Sequence, residues 1–133
     1  NARFGDPETQ VILPRLKTDL LEVILAAVGN QLKDLKVDWE ESACVGVVIA
    51  SGGYPGDYET GHPVYGLDAL DDALAFQAGT KVGDGPFPQS AGGRVATIVA
   101  CGDDIAAARA KAYANIVKVG FVGSFYRRDI AEL

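Results

Sequence analysis

An octet near the start of the chain combines side chains that could bind a charged substrate. Residues 3–10, with the sequence RFGDPETQ, place a guanidinium, two carboxylates and a side-chain amide around a glycine and a proline. The Arg3 guanidinium is a planar fork of donors that matches phosphate or carboxylate oxygens in pairs. Asp6 and Glu8 flank Pro7, whose fixed φ predicts an extended or turn geometry for both carboxylates rather than a helix face. Such carboxylates can accept hydrogen bonds from an amine or help to bind Mg²⁺. The alternative interpretation of the octet is a polar loop with a local Arg–Asp ion pair and no ligand.

A helix is predicted directly after this octet. Apolar residues recur at steps of three and four from Leu13 to Val28, Pro14 suits a first helical turn, and Gly29-Asn30 suits a helix end. These signals together predict a helix over 14–28. Between residues 30 and 41 the charge density rises and the periodicity fades, so we place a domain boundary there.

The rest of the chain predicts a sheet followed by a second helix. Residues 43–50 form a β-branched run that ends in a strong turn signal at 51–57, and the continuous apolar run at 95–100 predicts a central strand. Asp103 or Asp104 is predicted to cap a helix that Gly120 ends. Shorter strands are expected at residues 64–67, 74–82 and 94–100. The predicted fold class is therefore α+β, with a mainly antiparallel sheet and flanking helices.

The acidity of the chain and its residue counts exclude several protein classes. The formal net charge is −6 and the sequence pI is about 4.6, whereas a nucleic-acid-binding module usually presents a basic face. An anionic small-molecule substrate stays compatible, because a local arginine cluster can act within an acidic protein. Cys44 and Cys101 lie in separate apolar runs, which predicts two buried free thiols in a reducing compartment. No stretch predicts a membrane span or a signal peptide, so we expect a cytoplasmic protein, and a monomer.

The octet resembles a family signature. Residues 3–8 are similar to the R-F-G-D-P-E motif of phosphoribosylamine–glycine ligases, in which a glutamine follows closely and an asparagine precedes the arginine by two positions; Gln10 and Asn1 occupy those places. Further family motifs are matched in order along the chain: K-S/T-D-L at 17–20, W-D/E-E at 39–41, G-G-Y-P-G-D-Y-x-T-G at 52–61, H/Q-A-G-T-K at 77–81, G-G-R-V at 92–95 and Y/C-R-R/K-D-I at 126–130. Motifs that cover nearly the whole chain in one order are far more specific than any single motif.

The resemblance implies the C-terminal portion of an enzyme with an ATP-grasp architecture. Residues 1–38 would be the end of the ATP-grasp catalytic domain, and residues 39–133 a C-terminal α+β domain. In the implied reaction, ATP phosphorylates the glycine carboxylate, and the amine of 5-phosphoribosylamine attacks the glycyl phosphate. The products are glycinamide ribonucleotide, ADP and phosphate, in de novo purine synthesis. Mg²⁺ or Mn²⁺ would neutralise the charge of the phosphates. The resemblance also implies that an N-terminal portion of the enzyme is missing, which the absence of methionine also indicates.

The resemblance also implies roles for the octet. Asn1 would be one ligand of the metal, with an acidic partner upstream, unless Asn1-Ala2 is a remnant of cloning. Arg3 would contact a phosphate or carboxylate of a substrate, and Asp6 and Glu8 would shape the same loop.

Lys81 and Arg94 complete the set of candidate substrate-binding residues. The segment 79–81 could place a backbone amide and an ammonium group near the substrate cleft; a strand end with a solvated lysine is the alternative. The glycines at 92–93 predict a close backbone approach that positions Arg94 facing the active site. No catalytic residue is assigned, and the chain alone is expected to be inactive, because it has no glycine-rich phosphate loop opening a helix.

The remaining motifs are predicted to be structural. Residues 52–61 indicate a tight turn, His62 is expected to be exposed, and Arg127 with Arg128 is expected to be a solvated pair or an interdomain bridge. The competing hypothesis is a non-catalytic lid or binding domain of another ATP-grasp ligase or carboxylase. The octet at 3–10 argues against it, since a pure scaffold has no need of such a loop.

Overall fold

The computed structural model describes residues 2–132, and its strands form one main sheet. In chain order the elements are α1 (Glu8–Ile12), α2 (Leu20–Val28), β1 (Ala43–Ser51), β2 (Leu74–Gln77), β3 (Thr80–Lys81), β4 (Gln89–Ser90), β5 (Arg94–Gly102), α3 (Ile105–Ile116) and β6 (Ser124–Phe125), with 3₁₀ turns at Leu13–Arg15 and Leu32–Asp34. The main sheet is antiparallel, in the order β2-β5-β1-β6, and β3 pairs with β4 in a separate ribbon. The predicted α+β class with an antiparallel sheet is confirmed.

β1 and β5 form the centre of the main sheet. Both were expected as strands, and both are rich in residues that fit a pleated, buried surface. Every residue from Val95 to Ala100 is buried, as a strand covered on both faces requires. The register sets Val47 opposite Ile98 on one face and Cys44 opposite Cys101 on the other.

α3 covers the face of the sheet that carries Val47. The Asp104 side chain accepts a hydrogen bond of 2.7 Å from the backbone N–H three residues on, so the second of the two candidate aspartates caps the helix. Ala108 and Ala112 are fully buried, and their small side chains let the helix approach the sheet closely. The predicted helix end at Gly120 is wrong. The helix ends at Ile116 because the next amides bond three residues back, in tighter turns.

α1 covers the opposite face of the sheet, near the octet. A Cβ atom on Gly46 would lie 2.8 Å from Cγ1 of Val11, so the glycine permits the close approach of α1 to β1. Thr97 and Val99 lie on this face and are buried. The segment that carries the octet therefore packs directly on the sheet.

The single helix predicted over 14–28 is wrong in its first half. The chain forms a 3₁₀ turn at Leu13–Arg15, extends at Leu16, which bridges to Trp39, and starts α2 only at Leu20. The Asp19 side chain accepts from the N–H of Leu21 at 2.7 Å and caps the new helix. The apolar spacing continues across the break, so periodicity alone cannot detect it; the capping aspartate is the signal that marks the true start.

Two of the shorter predicted strands also differ from the structure. The strand expected over 74–82 is interrupted at Gly79, whose N–H donates to the carbonyl of Arg94 at 3.0 Å and whose added Cβ would lie 2.6 Å from the same oxygen. Residues 64–67 form an isolated bridge at Tyr65 rather than a strand, because Gly66 has a φ of 79° and turns the chain.

α2 leaves much of its apolar surface exposed. Leu21, Leu25 and Val28 are 61%, 61% and 79% exposed, and none of the helix residues is buried. α2 packs on the 3₁₀ turn Leu32–Asp34, whereas α1 packs on the sheet. The boundary proposed after residue 38 stays a prediction. Within residues 2–132, no helix is long and apolar enough to cross a membrane.

Candidate functional site

A cavity of about 440 Å³ opens between the octet and the sheet, on the α1 side; we call it the loop cleft. Strand β1 supplies its floor through small and apolar residues, and aromatic rings and two arginines stand at its walls. The lining consists of Pro7, Gly46, Val48, Ala50, Tyr54, Pro55, Arg94, Phe125, Tyr126, Arg127 and Ile130. The cleft therefore joins the octet to residues from both ends of the predicted C-terminal domain.

Arg94 ties the octet to the sheet through Asp6. Its Nη1 donates to the Asp6 carbonyl at 3.0 Å, and its Nη2 lies 3.1 Å from Oδ2 of the Asp6 carboxylate. Both terminal nitrogens of the guanidinium thus bind one residue that lies 88 positions earlier in the chain. The local Arg–Asp ion pair considered for the octet does not form among residues 2–132, because Asp6 pairs with the distant Arg94 and Arg3 donates to the Phe4 carbonyl. This geometry holds the octet loop in place.

Glycines fix the position of Arg94. Gly93 lies directly under the ring of Tyr54, and a Cβ atom there would overlap the ring. The Ser51 hydroxyl donates to the carbonyl of Gly92 at 2.9 Å. The close backbone approach predicted for residues 92–93 is confirmed by Gly79, on which an added Cβ atom would lie 2.9 Å from Cα of Gly92.

Gln10 completes the polar contacts of Asp6. Its Nε2 donates to Oδ1 of Asp6 at 3.0 Å, while its own Oε1 is buried without a hydrogen-bond partner among residues 2–132. Exchanging the two amide atoms would set an oxygen against the Asp6 carboxylate, so the hydrogen bond determines the orientation. Each Asp6 carboxylate oxygen thus has a donor from another element or turn.

Arg3 and Glu8 point away from this contact. Arg3 is exposed, and its Nη1 donates to the neighbouring carbonyl of Phe4 at 3.2 Å. Glu8 is also exposed and begins α1, with its side chain over Gly5. The predicted non-helical geometry of the two carboxylates is wrong for Glu8, because Pro7 serves as the N-cap of α1 rather than as the centre of an extended segment. Asp6 lies in the preceding turn, as expected.

Lys81 lies in a different cavity. It lines a groove of about 460 Å³ formed by the β3–β4 ribbon, together with Gln77, Thr80 and Phe87. This lining shares no residue with that of the loop cleft. The structure thus brings Arg94 and Asp6 together and leaves Lys81 on a separate surface; the substrate-binding roles of all three stay predictions.

The described residues do not form a metal site. Among residues 2–132, no group of three or more His, Cys, Asp or Glu side chains is placed to hold a metal ion. Asp6, which precedes Pro7 of the cleft lining, is already bound by Arg94 and Gln10. Asn1, the predicted metal ligand, lies outside the described residues.

Two further motif residues, Arg127 and His62, contact residues close to them in the sequence. Arg127, on the wall of the loop cleft, binds Asp129 through Nε at 2.9 Å and Nη2 at 2.6 Å. The hydrogen bond from Arg127 lowers the pKa of the Asp129 carboxyl, and the same bond raises the pKa of Arg127. His62, expected to be exposed, has a side chain only 25% exposed: its backbone N–H donates to the Ser90 hydroxyl of β4, and its Nε2 lies 3.6 Å from the Glu59 carboxylate.

Asn115 is the functional group that sequence reasoning missed most clearly. It is buried in α3, where its amide donates to the carbonyls of Asp71 and Lys111 and its Oδ1 accepts from the N–H of Asp71 at 2.8 Å. Its side chain therefore fastens the loop before β2 to the helix. An asparagine on the apolar face of a helix is a usable signal for such a contact, since a buried amide requires partners.

Comparison with known proteins places this geometry in a family. A family model described as "Phosphoribosylglycinamide synthetase, C domain" matches residues 44–133. The chain is 52% identical over 131 residues to the phosphoribosylamine–glycine ligase of Caldanaerobacter subterraneus subsp. tengcongensis, covering 98% of this chain and 31% of that protein. It is 45% identical over 132 residues to the enzyme of the same name from Escherichia coli O157:H7, again covering 98% of this chain and 31% of that protein.

A solved structure shows the same arrangement. The crystal structure of phosphoribosylamine–glycine ligase from Thermotoga maritima matches with a TM-score of 0.76 and 36% identity, covering 98% of this chain and 32% of that chain. The chain therefore spans about a third of the length of the relatives that it matches.

Proposed function

Because the chain belongs to the phosphoribosylglycinamide synthetase family through its C domain, we propose that it forms the C-terminal part of a ligase that joins glycine to 5-phosphoribosylamine. The observation that carries the proposal is the 52% identity to a phosphoribosylamine–glycine ligase over 98% of the chain. The octet lies inside that match, so the proposal includes its chemistry as well as the fold.

The proposed reaction uses ATP to activate glycine. A glycine carboxylate oxygen attacks the γ-phosphorus, ADP leaves, and a glycyl phosphate forms. The amine of 5-phosphoribosylamine then attacks the glycyl carbonyl, phosphate leaves, and the new amide bond gives glycinamide ribonucleotide. Mg²⁺ or Mn²⁺ would neutralise the phosphates, with Asn1 as one proposed ligand and a carboxylate upstream of this chain as another.

Residues of this chain contribute position and charge. Arg94 and Gln10 hold Asp6, and this fixes the loop on which Arg3 is displayed. Within residues 2–132, the Arg3 guanidinium bonds only to the adjacent Phe4 carbonyl, so its other donors face solvent. A displayed guanidinium suits the phosphate of 5-phosphoribosylamine, because its paired donors match two phosphate oxygens. We therefore assign Arg3 to substrate contact and Arg94 to positioning.

The test is ADP release by the full-length polypeptide. We expect ADP only when ATP, glycine and 5-phosphoribosylamine are all present, and mass spectrometry should detect glycinamide ribonucleotide as the coupled product. Omission of each substrate in turn is the control. Equal ADP release without glycine, or with 5-phosphoribosylamine replaced by ammonia, would contradict the proposed activity.

Arg3→Ala separates the two arginine roles. Loss of a charge-assisted contact to phosphate removes about 1.5–3 kcal/mol, so kcat/KM for 5-phosphoribosylamine should fall about ten- to a hundred-fold while the KM for ATP is unchanged. Arg128→Ala is the matched control, since Arg128 is also an exposed arginine and lies outside the octet. An unchanged kcat/KM for 5-phosphoribosylamine in Arg3→Ala would remove Arg3 from the substrate site.

A further inference from the structure

Two cysteines lie directly opposite each other at one end of the central strand pair. Cys44 near the start of β1 is the register partner of Cys101 near the end of β5, and their Sγ atoms are 3.2 Å apart. Both thiols are free and partly buried, on the α1 side of the sheet. The sequence predicted two buried free thiols, but in the structure both are only partly buried, and the register makes them a pair.

We propose that Cys44 and Cys101 form a reversible redox site, which small-molecule disulfides of the glutathione type convert to a cross-strand disulfide. Directly opposed residues of antiparallel strands have Cα atoms about 4.5 or 5.5 Å apart, and both values fall within the range that a disulfide spans. The sulfurs, at 3.2 Å, need to approach by only about 1 Å more, which side-chain rotation supplies. The bond can therefore form without a change of register.

Access to the pair is asymmetric. Cys101 lines a groove of about 370 Å³ beside Pro14, Asp72 and Leu74, whereas Cys44 is absent from that lining. An incoming disulfide therefore meets Cys101 first. Burial, followed by the hydrogen bond with Cys101, raises the pKa of Cys44 to about 12, although the nearby charge of Arg15 acts in the opposite direction. Cys44 is thus the poorer nucleophile while Cys101 is free, and the part of the rise in its pKa that the Cys101 hydrogen bond causes ends once Cys101 is in a mixed disulfide.

The two steps balance as thiol–disulfide exchange. The Cys101 thiolate attacks one sulfur of the small disulfide, a mixed disulfide forms, and one small thiolate leaves. Cys44 gives its proton to that thiolate or to water and attacks the Cys101 sulfur, and the second small thiol leaves. Two protein thiols and one small disulfide become one protein disulfide and two small thiols, so the small disulfide is the oxidant.

The test maps this bond in the full-length polypeptide. The protein is equilibrated in oxidised and reduced glutathione at several ratios, free thiols are blocked with N-ethylmaleimide, and tryptic peptides are identified by mass spectrometry. Cys44 falls in the peptide 37–81 and Cys101 in the peptide 95–109. We expect the linked pair of peptides to increase about ten-fold or more from the reducing to the oxidising buffer, and to disappear when reduced glutathione is restored.

Replacing each cysteine singly by serine separates the first exchange step from the second, and it changes the side-chain volume little. Cys44→Ser should accumulate the mixed disulfide on Cys101, and Cys101→Ser should leave Cys44 mostly unmodified. Circular dichroism of each variant confirms that the fold is retained. The proposal is overturned if the oxidising buffer leaves both cysteines of the parent alkylated. It is also overturned if each cysteine carries its own glutathione with no linked peptide.

Discussion

Removing the Arg94 side chain should release the octet loop from the sheet. Arg94→Ala deletes two contacts to Asp6, at 3.0 Å and 3.1 Å, between side chains that are 41% and 39% exposed. A unit-charge pair at this distance gains about 1.3 kcal/mol in a water-like dielectric. Ordering two partly exposed side chains offsets part of that gain. We expect Arg94→Ala to lower the free energy of unfolding by about 1–2 kcal/mol, because the bond to the backbone carbonyl is lost as well.

A double-mutant cycle isolates the side-chain pair. Arg94→Ala, Asp6→Ala and the double variant are unfolded in urea, and we expect a coupling energy of about 0.5–1 kcal/mol that decreases at high salt. Hydrogen exchange provides the positional readout: amides of residues 5–11 should exchange faster in Arg94→Ala than in the parent. The cycle at Arg127 and Asp129 is the control, since that pair links residues only two positions apart.

Two results would refute this reasoning. Additive effects of the two substitutions would show that the Arg94–Asp6 pair has no energetic role. Unchanged exchange of residues 5–11 in Arg94→Ala would show that packing of α1 alone holds the loop. In either case Arg94 would lose its positioning role and its conformation would need another explanation.

We make three further predictions, for Asn115, for Gly46 and for the isolated chain. Asn115→Leu should lower the free energy of unfolding, measured in urea, by about 2–4 kcal/mol, because the Asp71 backbone groups lose their hydrogen-bond partners. Ala114→Ser, on the exposed side of α3, is the control and should have little effect. Equal effects of the two substitutions would contradict the buried role of Asn115. Gly46→Ala should lower the free energy of unfolding by about 1–3 kcal/mol, because the added methyl group would overlap the Val11 side chain. Adding Val11→Ala should restore part of this loss. A double variant with no restored stability would show that α1 does not pack on Gly46. The chain alone should unfold cooperatively on heating yet release no ADP above a blank lacking protein, because its sequence has no glycine-rich phosphate loop that opens a helix. Turnover would place the nucleotide site inside this chain.

The strands that were predicted correctly are those whose burial is visible in local composition. β1 and β5 are continuous apolar, β-branched runs, and a strand buried on both faces requires that composition. The cap of α3 at Asp104 was recognisable because capping depends on one side chain and the amides next to it. α1, five residues long and opening in a polar octet, has too few turns to show a helical period.

Two parts of the candidate site were recognisable in the sequence, but their arrangement was not. The octet and the glycine pair before Arg94 were both recognised, yet their contact joins residues 88 positions apart, which no local pattern reports. The same limit applies to Cys44 and Cys101, 57 positions apart, which were expected as independent thiols. Lys81 was grouped with Arg94 by motif, and the structure assigns them to different cavities.

The attachment of α1 to the sheet has a mechanical consequence. The octet is held from one side by Val11 against Gly46 and from the other by Arg94, both contacts with the same rigid pair of strands. Any rotation of this sheet as a body therefore carries the octet with it. The chain leaves the sheet after α1, and the segment that carries α2 is closed at its base, where Leu16 bridges to Trp39 and the N–H groups of Lys17 and Thr18 donate to the Asp38 carbonyl. Any movement of α2 relative to the octet must therefore bend both of these paired stretches at once.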